Sequence, residues 1–339
     1  AILVNIPASG AIDQMIAGVV ETHGIVQWLF EIGIEASEAL PLLLFIGIGA
    51  MMDFGPILSN PKLMLFGAAA QIGIFVTIVF AQILGFNLAD AASIGIIGAA
   101  DGPTSILVSQ VLKSNYVGAI AVAAYSYMAL VPVIQPPIIR LLTTKKERQI
   151  KMEQLRNVTK TEKIVFPILV TVVVCLLIPS CAPLIGMLML GNLIKESGVV
   201  PNLVDAAAKT LLYAITIFLG LSVGATAMLS GVAEALDFLK ILVLGMIAFS
   251  FATASGVLIG KLMSKLSGGK INPMIGAAGI SAFPMSARVV HKMGLEEDNQ
   301  NFLLMHSIGA NVSGQIASVI AGGLILKIVP EILASLGLM

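Results

Sequence analysis

Long apolar stretches separated by short polar segments run along most of the chain. They extend over Leu40 to Met52, Leu63 to Phe86, Tyr116 to Leu142, Ile164 to Pro179, Leu184 to Ile194, Ala206 to Leu229, Phe238 to Leu262 and Phe302 to Ile328. A helix crosses a bilayer with about 20 apolar residues, whereas a transmembrane barrel shows alternating segments of about 10, which this sequence lacks. The pattern predicts an all-α polytopic membrane protein.

The amino-terminal part has a different pattern. Residues 11 to 38 carry five acidic side chains around Trp28, which is too acidic for a span, so we expect a helix that lies along the membrane surface or packs over the bundle. The chain begins in an apolar run, Ile2 to Val4. We therefore expect a further hydrophobic segment upstream of it.

Two apolar regions are broken by glycine, proline and polar residues. The first break runs from Ile94 to Ser105, with Asp101 before Gly-Pro, and the second runs from Asn272 to Met285. Both contain the phrase Ile-Gly-Ala-Ala, starting at Ile97 and Ile275. Each is expected to be a re-entrant hairpin or two half-helices, because irregular backbone at membrane depth must be surrounded by protein or water.

A second matching pair, Phe-Ile-Gly-Ile from Phe45 and Phe-Leu-Gly-Leu from Phe218, lies upstream of the two breaks. Corresponding interrupted segments in two halves indicate a transport site at a repeat interface. We predict an amino-terminal repeat over 1–142, a linker over 143–163 and a carboxy-terminal repeat over 164–339. Tyr116 to Leu142 is expected to be an interrupted helix as well, because it contains three prolines.

Composition and charge agree with a membrane protein. The chain is 58% hydrophobic and 11% charged, with a net charge of zero, whereas soluble domains are roughly 45–50% apolar and about 25% charged. Nothing therefore indicates a nucleic-acid partner. The linker carries seven lysine and arginine residues. By the positive-inside rule, such a basic connection is expected to lie in the cytoplasm. It is either a solvated connection that sets topology or a docking surface for a soluble subunit.

Asp101 is the strongest candidate for chemistry. A carboxylate at membrane depth costs roughly 2.5–3.5 kcal/mol on insertion scales and usually marks an ion or proton path. The alternative is an aspartate that caps a half-helix, where the helix dipole favours it. Both roles can hold together.

Other polar residues near the breaks have two interpretations each. Tyr127, Asn272, Ser281 and Asn311 supply neutral oxygens that suit a hard monovalent cation, or they make hydrogen bonds between packed helices. Arg288 can bind an anionic group through its planar fork, or it can snorkel to the interface. His306 can carry protons or pack in the bundle.

Three motifs resemble one known family. They are Gly98-Ala-Ala-Asp-Gly-Pro-Thr, the run from Ala123 to Pro137 that contains Tyr127, and Asn272-Pro-Met-Ile-Gly with Ser281 and Arg288. In these the chain is similar to the β subunit of the sodium-pumping, biotin-dependent decarboxylases, which act on oxaloacetate, glutaconyl-CoA, methylmalonyl-CoA or malonate.

The resemblance implies a function and a set of partners. A carboxyltransferase subunit would load a biotin carrier protein, and this subunit would decarboxylate the carboxybiotin and move sodium outward with uptake of a proton. A small membrane-anchored subunit, a homo-oligomer and the bacterial cytoplasmic membrane are implied too. The implied fold has two inverted repeats and an elevator-like core.

The resemblance also implies site residues. Asp101, Tyr127 and Arg288 match catalytic positions. From its place just beyond the second break, we expect Arg288 to receive the carboxylate of carboxybiotin. The sodium positions are matched by Asp101, Tyr127, Asn272, Gly276, Ser281 and Asn311. The alternative, from the broken repeats and the buried aspartate alone, is a sodium-coupled secondary transporter of a small organic anion.

Overall fold

The computed structural model describes residues 14–16, 19–22, 24–35, 39–226 and 232–337. The run Ile2 to Val4 and residues 11–13, 17–18, 23 and 36–38 of the predicted surface helix lie outside this part. The chain first forms an antiparallel hairpin of β1 (Gln14–Ile16) and β2 (Val19–Thr22). A helix was predicted there, and this is wrong because β-branched valines favour the extended chain. The helical part is α1 (Ile25–Phe30) and a π-helical turn at Glu31–Glu35.

The helices before the linker confirm the predicted order of apolar segments. They are α2 (Ala39–Met51), α3 (Gly55–Ser59), α4 (Met64–Ala70), α5 (Ile72–Ile83), α6 (Leu88–Gly95), α7 (Gly102–Val111) and α8 (Val117–Leu142), with 3₁₀ turns at Pro61–Leu63 and Ile96–Ala99.

The linker and the second half add eight helices in the described part of the chain. They are α9 (Lys145–Arg148), α10 (Lys160–Leu177), α11 (Ala182–Ser197), α12 (Pro201–Asp205), α13 (Leu212–Thr226), α14 (Val232–Leu266), α15 (Met285–Glu297) and α16 (Leu304–Ser335), with 3₁₀ turns at Pro179–Cys181 and Pro273–Gly279 and a π-helical turn at Ala206–Leu211.

Five helical stretches among the described residues are long and apolar enough to cross a membrane. They are Pro61–Ile83, Val117–Leu142, Pro201–Val223, Ala235–Leu266 and Leu304–Ser335. A sixth span results if the bent pair Ile25–Ile34 and Ala39–Met51 counts as one. The predicted class of all-α polytopic membrane protein is confirmed, while the inverted repeats and the elevator-like core stay predictions.

Helices α14 and α16 form the centre of the bundle. α14 packs against α4, α5, α8 and the 3₁₀ turn of the second break, and α16 packs against α4, α7, α15 and the same turn. The core around this turn contains Phe66, Phe249 and Ile275, all fully buried. The second break is therefore enclosed by protein on several sides.

Helix α8 is continuous although an interruption was predicted. It runs over 26 residues through Pro132, Pro136 and Pro137. Proline removes one backbone hydrogen bond and tends to kink a helix, but in a bundle the neighbouring helices tolerate the lost bonds. The prediction of an interrupted helix is therefore wrong.

Both predicted breaks are confirmed. In the first, Ala100 has φ 55° and ψ 41°, a left-handed conformation that turns the chain between α6 and α7, and a non-glycine residue seldom adopts it. Asp101 then caps α7, with Pro103 in its first turn. In the second break, Asn272 caps the 3₁₀ turn, Ile280 is extended, and α15 begins at Met285.

Glycine brings the backbone of the second break into direct contact with its neighbours. A Cβ on Gly256 of α14 would collide with the Gly276 carbonyl, and a Cβ on Gly276 would collide with the Gly256 carbonyl. Likewise, a Cβ on Gly314 of α16 would meet the backbone of Gly279. Only residues without a side chain permit this spacing, as at other close helix contacts in membranes.

The contact between Gly256 and Gly276 generates a prediction. Gly256→Ala should lower the free energy of unfolding by about 1–3 kcal/mol, because the added methyl group must push two backbones apart. Gly220→Ala is the matched control, since no atom of the described residues lies within 4 Å of its Cβ position and alanine favours a helix by about 0.5–1 kcal/mol. Unfolding by SDS titration measures both. Equal stability of the two variants would contradict this packing.

Candidate functional site

Asp101 lies at the turn of the first break, where three hydrogen bonds hold its carboxylate. The residue is 2% exposed. Its Oδ1 accepts the backbone N–H of Thr104 at 3.3 Å, which is the helix cap. Its Oδ2 accepts from Gln315 Nε2 at 2.8 Å and from Ser318 Oγ at 2.6 Å. The predicted capping role is therefore present, and α16 supplies two further donors.

The carboxylate of Asp101 has no cationic partner within the described part of the chain. None of the lysine, arginine or histidine side chains there forms an ion pair with it. Each hydrogen bond to a charged group stabilises it by about 1.5–3 kcal/mol, whereas moving a carboxylate out of water costs several kcal/mol. The site therefore offers a negative charge that a small cation or a proton can neutralise.

The second break meets the first beside Asp101. The backbone N–H of Ser281 donates to the carbonyl of Ala99 at 2.9 Å. The Ser281 hydroxyl donates to the carbonyl of Gly314 at 2.9 Å. Asn311 Nδ2 donates to the carbonyls of Ala278 at 3.2 Å and Ile280 at 2.6 Å. The first break, the second break and α16 are thus joined at one point.

A cavity of about 290 Å³ opens at this junction. Its lining includes Asp101, Tyr125, Ser281, Phe283 and Gln315. The remaining wall is largely apolar, with side chains of α2 such as Leu44 and Ile48. Concave, mostly apolar sites with a few convergent polar groups are typical of small-ligand binding.

Three buried oxygens near this junction have no hydrogen-bond partner among the described residues. They are Oδ1 of Asn311, Oγ1 of Thr104 and the hydroxyl of Tyr125. The Tyr125 ring lies over Gly102, the residue after Asp101. An unsatisfied buried polar atom costs about 1–3 kcal/mol, so it calls for an explanation such as a bound ion. Tyr125 lines the same cavity as Asp101 and Ser281, and Asn311 contacts the residue before Ser281.

Tyr127 lies on a different side of α8. We expected the helix that carries Tyr127 to pack against the break at Asp101, and α8 does contact α7 and the 3₁₀ turn of that break. The Tyr127 hydroxyl, however, donates to the carbonyl of Leu242 on α14. Its ring packs on Gly245 and belongs to the same buried cluster as Ile97. Residues two apart on a helix do not face the same neighbour, so Tyr125 and not Tyr127 lines the cavity of Asp101.

Asn272 and Gly276 lie earlier in the second break than Ser281. Asn272 Nδ2 donates to the carbonyls of Arg148 and Ile150, both at 2.9 Å, and its Oδ1 accepts from Met274 N–H at 3.0 Å. The side chain thus ties the linker to the start of the break. Gly276 lies against the Gly256 backbone.

Arg288 is exposed on α15. Its guanidinium forms no hydrogen bond or ion pair with any residue that the structure describes. A solvent-facing guanidinium keeps its five donors available to an anionic group. The structure therefore brings Asp101, Ser281 and Asn311 together and places Arg288 on the surface.

Gln315, Ser318 and Tyr125 were missed as site residues. A signal for the first two was present, because Asn311, Gln315 and Ser318 follow the spacing i, i+4, i+7, which puts them on one face of a helix. Three polar residues on one face of an apolar helix indicate a buried polar partner. Tyr125 gave no such signal beside Tyr127.

Comparisons with known proteins agree on one family. A model of the family described as Na⁺-transporting oxaloacetate decarboxylase beta subunit matches residues 1–329. The chain is 54% identical over 314 residues to the probable oxaloacetate decarboxylase beta chain of Vibrio cholerae, covering 91% of this chain and 72% of that relative. It is 52% identical over 328 residues to the glutaconyl-CoA decarboxylase subunit beta of Acidaminococcus fermentans, covering 97% and 84%. It is 51% identical over 325 residues to the methylmalonyl-CoA decarboxylase subunit beta of Veillonella parvula, covering 96% and 84%.

The two tyrosines of α8 give a matched pair of variants. Tyr127→Phe should lower the free energy of unfolding by about 1 kcal/mol, because its hydrogen bond to Leu242 is lost. Tyr125→Phe should leave stability in sodium-free buffer unchanged or slightly higher, because the hydroxyl that it removes has no partner in the described part of the chain. Thermal unfolding in detergent measures both variants. A loss for Tyr125→Phe as large as that for Tyr127→Phe would refute this assignment.

Proposed function

The chain belongs to the family of Na⁺-transporting oxaloacetate decarboxylase β subunits, and from this premise we propose that it decarboxylates carboxybiotin and couples the reaction to outward sodium transport. It is a multi-pass membrane subunit of a sodium-transporting decarboxylase. In the proposed reaction a biotin carrier protein delivers carboxybiotin from the cytoplasm. The N–CO₂⁻ bond breaks, CO₂ leaves, and a proton taken up by the subunit ends on the ring nitrogen.

The observation that carries this proposal is the Asp101 carboxylate, which is buried without a cationic partner in the described chain. A sodium ion or a proton can neutralise this carboxylate, but the two cannot bind to it at the same time. Exchange of one for the other at a single carboxylate would couple sodium movement to proton uptake. Carboxylate, amide and hydroxyl oxygens are the donors that hard cations prefer.

We assign Ser281 and Asn311 as further oxygen ligands of sodium. Ser281 lies in the cavity of Asp101, and the free Oδ1 of Asn311 supplies an acceptor. Tyr125 can add its hydroxyl from α8. In this proposal the two breaks and α16 together form the ion site.

The depth of Asp101 in the bundle supports a transport role. His306, near the start of α16, contacts the linker through the Glu153 carbonyl, and Gln315 contacts Asp101 from further along the same helix. At 1.5 Å per residue, the axial distance between them is about 14 Å. This is close to half of the roughly 30 Å hydrocarbon core, which puts the carboxylate near the midplane.

The other predicted residues receive proposed roles that match their positions. Asn272 and Gly276 would affect sodium binding by holding the second break in place. Asn272 does so through its bonds to the linker, and Gly276 through its contact with α14. The exposed guanidinium of Arg288 would receive the carboxylate of carboxybiotin in a bidentate contact. Tyr127 stays a proposed proton donor, for which its bond to the Leu242 carbonyl must open.

The partners follow from membership of a multi-subunit decarboxylase family. We propose a carboxyltransferase subunit, the biotin carrier, a small membrane-anchored subunit and a homo-oligomer in the bacterial cytoplasmic membrane. Relatives named for three different acids are 51–54% identical to this chain. The choice of acid is therefore proposed to lie in the carboxyltransferase.

The proposal is tested by Asp101→Asn in the assembled complex. The variant should fold but lose sodium-stimulated, avidin-sensitive decarboxylation by at least about 100-fold, because the amide cannot neutralise a cation. Asp90→Asn is the control, since Asp90 is 3% exposed and bonded to Ser114 and Asn115 instead. It should lower stability but keep the sodium dependence. Near-normal turnover of Asp101→Asn with unchanged sodium dependence would refute the role of Asp101.

If the wild-type complex transports sodium together with an organic anion, and avidin does not inhibit this transport, the result would instead favour a secondary transporter.

A further inference from the structure

A second cavity, of about 650 Å³, lies between the linker and the first turn of α16. We name it the linker cavity; its lining includes Ser59, Met152, Arg156, Lys163, Phe302 and His306. Its volume is in the range of small-molecule sites, about 300–1,000 Å³. Neither Asp101 nor Arg288 lines it, so the ion site and the proposed carboxylate receiver do not account for it.

His306 lines the linker cavity and has an unused hydrogen-bond acceptor. The residue is 5% exposed, and its Nε2 lies 3.0 Å from the carbonyl of Glu153. A carbonyl can only accept, so Nε2 carries the proton in the neutral ring and Nδ1 has a free lone pair. Nδ1 of His306 is buried and has no partner in the described chain, and the same holds for the hydroxyl of Ser59. An unpartnered ring nitrogen that can accept, and an unpartnered hydroxyl that can accept or donate, suit a ligand that has an N–H donor.

The charges of the linker cavity are internally paired. Lys163 Nζ lies 2.9 Å from Asp53 Oδ1, and Arg156 lies 2.9 Å from Glu162. Burial alone would raise the pKa of Asp53, but the Gly55 N–H and Lys163 outweigh it and lower that pKa. The carboxylate therefore stays charged at neutral pH and balances Lys163. The site favours a neutral polar ligand over a phosphate or another multiply charged anion.

The rim of the linker cavity is apolar and solvent-facing. Phe302 is 68% exposed and Met305 is 48% exposed. An exposed aromatic ring and a flexible thioether suit the face of a small ring system. His291 packs on Phe302 at 6.2 Å between ring centroids, and it lies one helical turn after Arg288 on α15.

We propose that the linker cavity receives the ureido ring of the biotin carried by the partner protein, with His306 as the positioning residue. This rests on the proposed function. Carboxylation of one ring nitrogen leaves the other N–H free, and His306 Nδ1 accepts it. The ring face lies on Phe302, and the carboxylate is directed towards α15 and Arg288. His306 holds the ring and takes no part in bond breaking.

Helix α16 would connect the linker cavity to the ion site. His306 lies in its first turn, whereas Asn311, Gln315 and Ser318 of the same helix contact the second break and Asp101. A ring bound at His306 and an ion bound at Asp101 therefore act on one rigid element. This gives a physical route for coupling the two sites.

The test uses biocytin, a lysine amide of biotin, as the probe for the detergent-solubilised subunit. His306→Phe should weaken biocytin binding by at least tenfold, because it keeps a ring but removes the acceptor. His306→Asn should stay within about threefold of wild type, since its Oδ1 takes the place of Nδ1 as an acceptor. His291→Phe is the matched control: its Nδ1 is also buried and unpartnered in the described chain, but it does not line the cavity.

The outcomes separate this inference from the proposed function. If His306→Phe binds biocytin like wild type while the wild-type complex shows avidin-sensitive turnover, the linker cavity is not the ring site and the proposed function stands. If the wild-type complex shows no avidin-sensitive turnover, the proposed function fails and the ligand assignment with it. Should His306→Phe not fold, Ser59→Val fills the cavity from α3 and should give the same loss.

Discussion

A carboxylate buried inside a membrane protein must be stabilised by its neighbours, and the structure around Asp101 follows from that constraint. The left-handed residue Ala100 turns the chain so that Asp101 caps α7. Gln315 and Ser318 complete its hydrogen bonds from α16. These contacts are possible only if α16 approaches the first break closely, so the position of α16 and the charge of Asp101 depend on each other.

The same constraint explains the small residues of the second break. Its carbonyls are not all used by helical hydrogen bonds, so side chains satisfy them: Asn311 bonds to Ala278 and Ile280, and Gln135 bonds to Ala277 at 2.8 Å. Such irregular backbone persists at membrane depth only where protein surrounds it. Glycines permit that close enclosure, because a side chain at Gly276 or Gly256 would separate the backbones.

Sequence patterns predicted what depends on local chemistry. Apolar length predicted the spans, and Gly-Pro beside Asp101 predicted the first break. What depends on distant partners was not predictable: the Asn272 side chain bonds to the linker, 122 and 124 residues away, and α8 stays helical through its prolines because it is packed. Tyr125 and Tyr127 are two residues apart on a helix, so only the orientation of α8 decides which of them lines the cavity of Asp101.

The central claim is that sodium binds at Asp101, and the most direct measurement is the thermal stability of the purified subunit in sodium chloride against choline chloride of equal ionic strength. A ligand that binds only the folded state stabilises it by about 2.7 kcal/mol at 100 times its Kd. The wild-type protein should therefore unfold several degrees higher in sodium at saturation, and Asp101→Asn should show no such difference. An equal sodium-dependent shift in Asp101→Asn would contradict the claim.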